Sequence, residues 1–414
     1  MSFSKLNLST ELTAILAGQF DSPTDVQMRA IPALQAGSDV IAIAQTGSGK
    51  TLAYGLPMID SLKPSLSQSQ SQSQSQSLIL VPTRELAAQV AQALECYLSA
   101  LGLSSVVLCG GVEKSVQVEQ LQTSPELIIA TPGRLLDLLN EKELDASQLS
   151  HVVLDEADRL LDLGFWPDIQ QIHQYIPLKR QTVMFSATWP DELDKKANTL
   201  LNTPVQINVD PVNSVVEKIE EKLYLVNKGA KANVLIQQVK LHQWQQVLVF
   251  ISARDNADAL AKKLNKAGIT TASLHGNKPQ AEREQTLEDF KQKNVQVLIS
   301  TDLLARGIHV ELLPVVVNVD LPSHPEVYVH RVGRTARAGE NGLAVSLVSH
   351  GETDYLQAIR HLTERELPLE ELAEFPVTDK PATGQSKRPK RDKQANRRTN
   401  TKSSIKQFKS RGKR

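Results

Sequence analysis

The sequence predicts an α/β chain: two tandem parallel sheets, each with helices on both faces, followed by a basic C-terminal tail that cannot fold alone. Three observations predict it. Short apolar runs alternate with helical patterns through both halves of the chain. Each run ends in small or polar residues. The stretch 376–414 has almost no apolar side chains to bury. In the first half the runs are Val40–Ala44, Leu78–Val81, Val106–Cys109, Leu127–Ala130, Val152–Leu154 and Thr182–Phe185. In the second they are Val247–Ile251, Thr271–Leu274, Val295–Ile299, Val315–Val319 and Leu343–Val348. Sheets of this kind bind ligands at the carboxyl ends of their strands, where the polar motifs of this chain sit.

At 414 residues the chain is long enough for two domains and additional segments. Hydrophobic residues make up 41% and aromatics only 4%, so the cores are expected to be aliphatic. Cys96 and Cys109 form neither a CxxC pair nor a zinc spacing, which fits a reduced compartment. The start, Met1-Ser2-Phe3-Ser4-Lys5, lacks the basic and apolar regions of a signal peptide. No apolar run approaches the roughly 20 residues that span a bilayer. A cytoplasmic protein without a membrane partner is the expectation. The formal charge of zero hides an asymmetry. The tail holds eight lysines and six arginines against two aspartates, so the rest of the chain is acidic by the same margin. A basic tail suits a polyanion.

The expected divisions are an amino-terminal region over 1–30, a first domain over 31–208, a linker over 209–218, a second domain over 219–375 and the tail over 376–414. The boundary zone, 205–218, centres on Asp210-Pro211-Val212-Asn213-Ser214, which breaks both periodicities. Residues 65–77 are a low-complexity Ser-Gln segment and read as a flexible, solvated loop.

Two motifs carry chemistry. Ala44-Gln45-Thr46-Gly47-Ser48-Gly49-Lys50-Thr51 departs from GxxxxGK[ST] only at its first position. Gly47 and Gly49 let backbone N–H groups approach phosphate oxygens, Lys50 would reach the β- and γ-phosphates, and Thr51 would ligate Mg²⁺. The helix starting near Lys50 adds its positive end. Asp155-Glu156-Ala157-Asp158 follows a predicted strand. Asp155 is the second Mg²⁺ partner, through water, and Glu156 is placed to polarise an attacking water as general base.

With these residues on the page, the chain resembles the DEAD-box RNA helicases, which are built from two RecA-like domains. The resemblance covers residues 1–370 and includes many motifs in the family's order. It implies ATP and Mg²⁺ as cofactors and RNA as partner, held through its backbone and largely without regard to sequence. Phe3 and Phe20-Asp21-Ser22-Pro23-Thr24-Asp25-Val26-Gln27 resemble the adenine-reading Q motif, with Phe20 stacking on the base and Gln27 meeting its edge. Pro82-Thr83-Arg84-Glu85-Leu86, Gly110-Gly111 and Thr131-Pro132-Gly133-Arg134 resemble RNA-gripping motifs, with Arg84, Gly111, Thr131 and Arg134 as contacts. Arg254, Gln280, Arg283 and Thr301 are their counterparts in the second half. Ser186-Ala187-Thr188 resembles the motif that couples hydrolysis to strand separation, with hydroxyls directed at Asp158. The run from Tyr328 to Arg337 resembles the arginine-finger motif. In it Arg334 and Arg337 act on the γ-phosphate, and Arg331 belongs to the coupling set.

Two departures stand out. Ala336 replaces a residue that is often Gly in the family. In Arg306-Gly307-Ile308-His309, where Gly307 and His309 are expected near the nucleotide, His309 replaces an Asp that contacts the ribose. Histidine keeps a hydrogen bond there but supplies no negative charge at neutral pH. Weaker ATP binding with activity retained is the expectation. The overall reading is an RNA-stimulated ATPase that unwinds duplexes locally, with ribosome assembly or RNA decay as its setting and their proteins as partners. A DNA helicase of the same architecture and a low-turnover ATP-dependent RNA clamp stand as alternatives. Oligomeric state and RNA substrate are left open.

Overall fold

The apolar runs become strands because Val, Ile and Leu suit a pleated surface that is buried on both faces. A computed structural model of the chain describes residues 2–45, 47–63, 76–209, 219–302, 313–335 and 342–379. The first sheet contains β1 (Val40–Ile43), β2 (Gln76–Leu80), β3 (Ser105–Leu108), β4 (Leu127–Ala130), β5 (Leu149–Leu154), β6 (Gln181–Ser186) and β7 (Val205–Asn208). All pair in parallel, in the order β3-β4-β2-β5-β6-β1-β7. The second contains β8 (Ile219–Leu225), β9 (Val247–Phe250), β10 (Thr271–Leu274), β11 (Val297–Ser300), β12 (Val315–Asn318), β13 (Gly342–Val348) and β14 (Leu369–Glu371). These too are parallel, in the order β10-β11-β9-β12-β13-β8-β14.

Alternate residues of each strand feed different cores, as the two-residue period requires. Val40, Ala42, Ile79, Ile129, Val153 and Val183 join one core of the first sheet. Ile41, Ile43, Leu78, Leu80, Ile128 and Val152 join the other. In the second sheet, Val247, Val249, Val297 and Val317 face one side, while Leu248, Phe250, Leu298 and Val316 face the other. Residues up to Val377 belong to one compact unit.

Four features differ from the expectations. Val205–Asn208, assigned to the boundary zone, is the edge strand β7; only Ile207 of its four residues is buried. Ile219–Leu225 and Leu369–Glu371 are strands that the apolar pattern does not mark, because charged residues interrupt both. Residues 2–30 are not a separate piece: Phe3, Leu12, Leu16 and Val26 pack into the first core, and helix Asp25–Gln35 crosses the expected division at 30. β2 begins at Gln76, so the last two residues of the Ser-Gln stretch are strand. There Gln76 N–H donates to the Gln148 carbonyl and Ser77 N–H to that of Glu126. The rest of that stretch, positions 210–218 of the linker and the tail from 380 lie outside the described residues.

Candidate active site and nucleic-acid interface

Strand order decides which motifs meet. β5, β6 and β1 are neighbours, so the acidic quartet, Ser186 and the glycine-rich loop emerge side by side at one sheet edge. Ala44 N–H donates to the Ser186 carbonyl at 3.0 Å, and Asp155 N–H to that of Leu80 at 3.0 Å. Gly47 and Gly49 have φ of +82° and +89°, a left-handed backbone that favours glycine. A Cβ on Gly49 would also stand 2.6 Å from Gln27 Nε2. Helix Lys50–Leu62 begins directly after, and the buried Lys50 Nζ donates to the Ala44 carbonyl at 3.0 Å. Ser48 Oγ donates to the Gln45 carbonyl at 2.8 Å. Thr51 is in the first turn of that helix. Thr46 lies outside the described residues.

Gln27 has a structural task. Its Oε1 accepts from Thr24 N–H at 3.0 Å, completing a capping box, and its Nε2 donates to the Gly49 carbonyl at 3.2 Å. It therefore ties the amino-terminal helix to the phosphate loop. Phe20 is half exposed, its ring 6.4 Å from that of Phe3.

The quartet is buried and highly ordered by hydrogen bonds. Asp155 Oδ1 accepts from Glu156 N–H at 2.9 Å and Oδ2 from the Tyr54 hydroxyl at 2.8 Å. Burial pushes the Asp155 carboxyl up to about 6 against the pull of Lys50. Glu156 has a left-handed backbone, φ 48°, and its Oε2 accepts from Arg159 Nη1 at 2.8 Å. Burial raises the Glu156 carboxyl, but Arg159 and Arg334 more than offset this and leave it below its ordinary value. Asp158 Oδ2 accepts from Thr188 N–H at 3.0 Å and Thr188 Oγ1 at 2.6 Å, while Asp158 N–H donates to Ser186 Oγ at 3.2 Å. The expected grouping of Asp158, Ser186 and Thr188 is thus present as contacts.

The second sheet reaches into this cluster. His330, on helix Pro325–Val332, has Nε2 2.8 Å from Asp158 Oδ2. Burial opposes ionisation of Asp158, but His330 and Thr188 hold its carboxyl far below the usual range. Arg334 is buried and lies close enough to act electrostatically on Glu156. Arg331 stays within its own half. It donates to both Asp302 oxygens at 2.5 and 2.7 Å, to Asn318 Oδ1 at 3.2 Å and to the Asp320 carbonyl at 2.6 Å, and it stacks 5.0 Å from the Phe250 ring centroid. Gly307, His309 and Arg337 lie outside the described residues.

β2, β4 and β3 form the other side of the first sheet and bring together the remaining motifs. Thr83 caps helix Arg84–Ala100, and Thr131 precedes helix Pro132–Asn140, which starts with Pro at its first position. Gly111 has φ +79°, a left-handed backbone that favours glycine, and the Arg84 guanidinium lies where its Cβ would stand. Arg134 donates to Gln117 Oε1 at 3.0 Å and to the Val112 carbonyl at 3.1 Å, which fixes it beside the Gly110-Gly111 turn. In the second half, Arg254 donates to Asn277 Oδ1 at 3.0 Å, Gln280 to Glu284 at 2.8 Å, and Thr301 is buried at the end of β11. Arg283 is not a free grip: its Nη1 donates to Glu85 Oε1 at 2.9 Å, across to the first half.

Oxygen donors suit Mg²⁺, which is commonly held by one or two carboxylates together with phosphates and water. Thr51 and Asp155 are such donors, and each Asp155 oxygen keeps a lone pair beyond the hydrogen bonds described. Among the described residues no group of three or more His, Cys, Asp or Glu forms a metal cage. No helix among them is long and apolar enough to cross a membrane.

Sequence reasoning assigned no role to Tyr54, Arg159, His330 or Glu85. A Tyr inside the largely apolar helix Lys50–Leu62 is the signal for Tyr54, whereas Arg159 and His330 sit beside other charged residues that mask them. Glu85 stands within a quoted motif but gains its partner only through the arrangement of the two halves.

Comparison with known proteins follows the same division. The DEAD/DEAH box helicase family matches residues 24–195, and the helicase conserved C-terminal domain matches residues 230–339. The ATP-dependent RNA helicase DbpA of Escherichia coli is 38% identical over 368 residues, covering 88% of this chain and 79% of that protein. The RNA helicase CrhR of Synechocystis is 36% identical over 369 residues, covering 89% and 74%. The structure of Dbp5 from S. cerevisiae bound to RNA and ADP BeF3 superposes with a TM-score of 0.78 at 30% identity, covering 90% of this chain and 95% of that one. With both family domains matched in order and a relative 38% identical over most of both chains, the chain belongs to the DEAD-box ATP-dependent RNA helicases.

Proposed function

We propose that this chain couples ATP hydrolysis to local separation of short RNA duplexes, with the two sheets closing over nucleotide and RNA together. The observation that carries the reading is the meeting of the two halves at the acidic quartet: His330 on Asp158 at 2.8 Å and Arg334 acting on Glu156. A site completed only when two halves meet is a site that closure can gate.

In this reading the glycine-rich loop and helix Lys50–Leu62 receive the triphosphate, and Lys50 leaves the Ala44 carbonyl for a phosphate oxygen. Thr51 and Asp155 would hold Mg²⁺, which on binding supplies charge neutralisation at the phosphates. Glu156 accepts the proton of the attacking water. Arg159, which donates to its Oε2, and Arg334 hold it in its ionised form, ready to take that proton. Arg334, with Arg337 beyond the described residues, stabilises charge on the transferring group; such fingers are worth about 10³–10⁵ in rate. Asp158 reports the state of this site to Ser186, Thr188 and His330. Arg84, Gly111, Thr131 and Arg134 form a backbone grip, with Arg254, Gln280 and Thr301 as its counterpart. Arg283 joins the halves in the arrangement described. Phe20 is exposed enough to stack on a base, while Gln27 has one amide N–H left for it.

Multiple-turnover ATPase measured with and without RNA, alongside unwinding of a short RNA duplex and its DNA equivalent, tests the reading. RNA-stimulated turnover with RNA unwinding is expected. Tight ATP-dependent RNA binding without turnover would favour the clamp, the reading that His309 keeps open. Equal action on DNA would sink the RNA preference.

A further inference from the structure

The helix after the phosphate loop carries Tyr54 one turn beyond Lys50. Its ring is buried and set edge-on to Phe185, with centroids 5.2 Å apart and planes at 63°. Its hydroxyl donates to Asp155 Oδ2 at 2.8 Å. Thr51 lies three residues earlier on the same helix. The phenol thus reaches one of the two oxygen donors assigned above to the metal from the helix that carries the other.

A buried hydroxyl without a partner is destabilising, so phenol and carboxylate hold each other in place. Asp155 Oδ1 is held independently by Glu156 N–H at 2.9 Å. With one hydrogen bond on each oxygen, the carboxylate can no longer rotate about its terminal torsion. Each oxygen still has a lone pair beyond these bonds. Hydrogen-bond partners of this kind usually set a metal ligand's orientation and affect metal affinity or activity by about 10–100-fold.

We propose that Tyr54 is a positioning residue for Mg²⁺: its hydroxyl fixes the Asp155 carboxylate in the orientation that receives the hydrated ion and ties that carboxylate to the helix that carries Thr51. This rests on the assignment of Asp155 and Thr51 to Mg²⁺. Tyr54 does not touch nucleotide or water itself. It couples the start of the phosphate-loop helix to the end of β5, so the two metal donors move as one.

Tyr54→Phe deletes one oxygen and keeps the ring against Phe185. In the full-length protein, binding of a fluorescent non-hydrolysable ATP analogue is measured in EDTA and across a Mg²⁺ titration. Binding of Mn²⁺ in the presence of the same analogue is followed by electron paramagnetic resonance. Wild type is expected to bind the analogue more tightly as Mg²⁺ rises, and Asp155→Asn to lose most of that gain. Tyr54→Phe is expected to need about tenfold more Mg²⁺ for the same gain and to bind Mn²⁺ more weakly by a similar factor, with turnover recovering at high Mg²⁺. A Tyr54→Phe midpoint within a factor of about two of wild type, with Asp155→Asn impaired, overturns the role of Tyr54 alone. A Mg²⁺ response preserved in Asp155→Asn overturns the assignment beneath it. A defect in Tyr54→Phe that persists at saturating Mg²⁺ also counts against the proposal, because excess metal does not repair a distorted fold.

Discussion

Asp155 is a carboxylate buried where burial is costly, and its raised value of about 6 records that cost. A carboxyl with a folded value above its usual 3.8 binds its proton more tightly when folded. The folded state is therefore favoured at low pH, and this contribution declines as pH rises from 3.8 to about 6. Asp155→Asn removes the penalty while keeping most of the shape. In metal-free protein at pH 7 it is expected to raise stability on the order of 1–3 kcal/mol and to flatten the stability profile over that interval, while losing ATPase activity. Denaturant melts at pH 4, 5, 6 and 7 check this, and equal profiles for both proteins would contradict it. Glu156 shows how neighbours reverse such a penalty, since two arginines hold it below its ordinary value in an equally buried position.

At the scale of elements, the second sheet is secured by a polar staple between helix and strand ends. Glu352 Oε2 accepts from Lys231 Nζ at 2.6 Å and from Ser349 N–H and Oγ at 2.9 and 2.5 Å, and its Oε1 accepts from Leu321 N–H at 2.9 Å. Burial opposes its ionisation, but Lys231 and Ser349 hold it below its ordinary 4.5. Here the sign is the usual one for carboxylates: the stabilisation is present above 4.5 and is lost as pH falls through the lower folded value. Glu352→Ala leaves Lys231 buried without its main partner, so a loss of about 3–5 kcal/mol is expected at pH 7. A thermal shift within about a degree of wild type would show that water replaces the carboxylate.

Elements also differ in how legible they were. Leu127–Ala130 and Val247–Phe250 are central, buried on both faces and written as unbroken apolar runs, so their existence follows from composition alone. β7 and β14 are edge strands, where one flank faces solvent and polar residues are tolerated; β8, one strand in and paired with β13 and β14, still carries four charged or polar side chains among its seven, with Glu220 exposed. The grouping of Asp158 with Ser186 and Thr188 came from the resemblance of Ser186-Ala187-Thr188 to the family's coupling motif, and the structure sets β5 and β6 side by side so that these residues touch. His330 on Asp158 was not, since 172 positions of chain separate them and only the packing of the two halves fixes their register.

For the whole molecule, the pair Glu85–Arg283 joins the two halves away from the acidic quartet, with both side chains largely buried. If it stabilises the closed arrangement, Glu85→Ala and Arg283→Ala should each reduce RNA-stimulated turnover, and the double variant should be no worse than either. A coupling of about 0.5–3 kcal/mol in a double-mutant cycle on RNA-dependent kcat/KM is expected. Strict additivity would assign Arg283 to RNA instead. The charge asymmetry of the chain acts at the same scale. Deleting 376–414 is expected to flatten the salt dependence of RNA binding, since each phosphate contact contributes a log–log slope near −0.7 on single strands. An unchanged slope would leave the tail without an RNA role.

β2 starts at Gln76, where the backbone is tied to Gln148 and the side chain donates to the Pro125 carbonyl, at the amino ends of strands whose carboxyl ends lead into Pro82–Leu86, Thr131–Arg134 and Asp155–Asp158. Gln76 therefore stands at the end of β2 opposite those motifs, and the sequence joins the sheet there. That makes it a natural docking port for an engineer. A fluorescent protein or affinity tag spliced between Lys63 and Gln76 should be carried by the enzyme with ATPase unchanged, and each doubling of loop length should cost only about 0.6 kcal/mol.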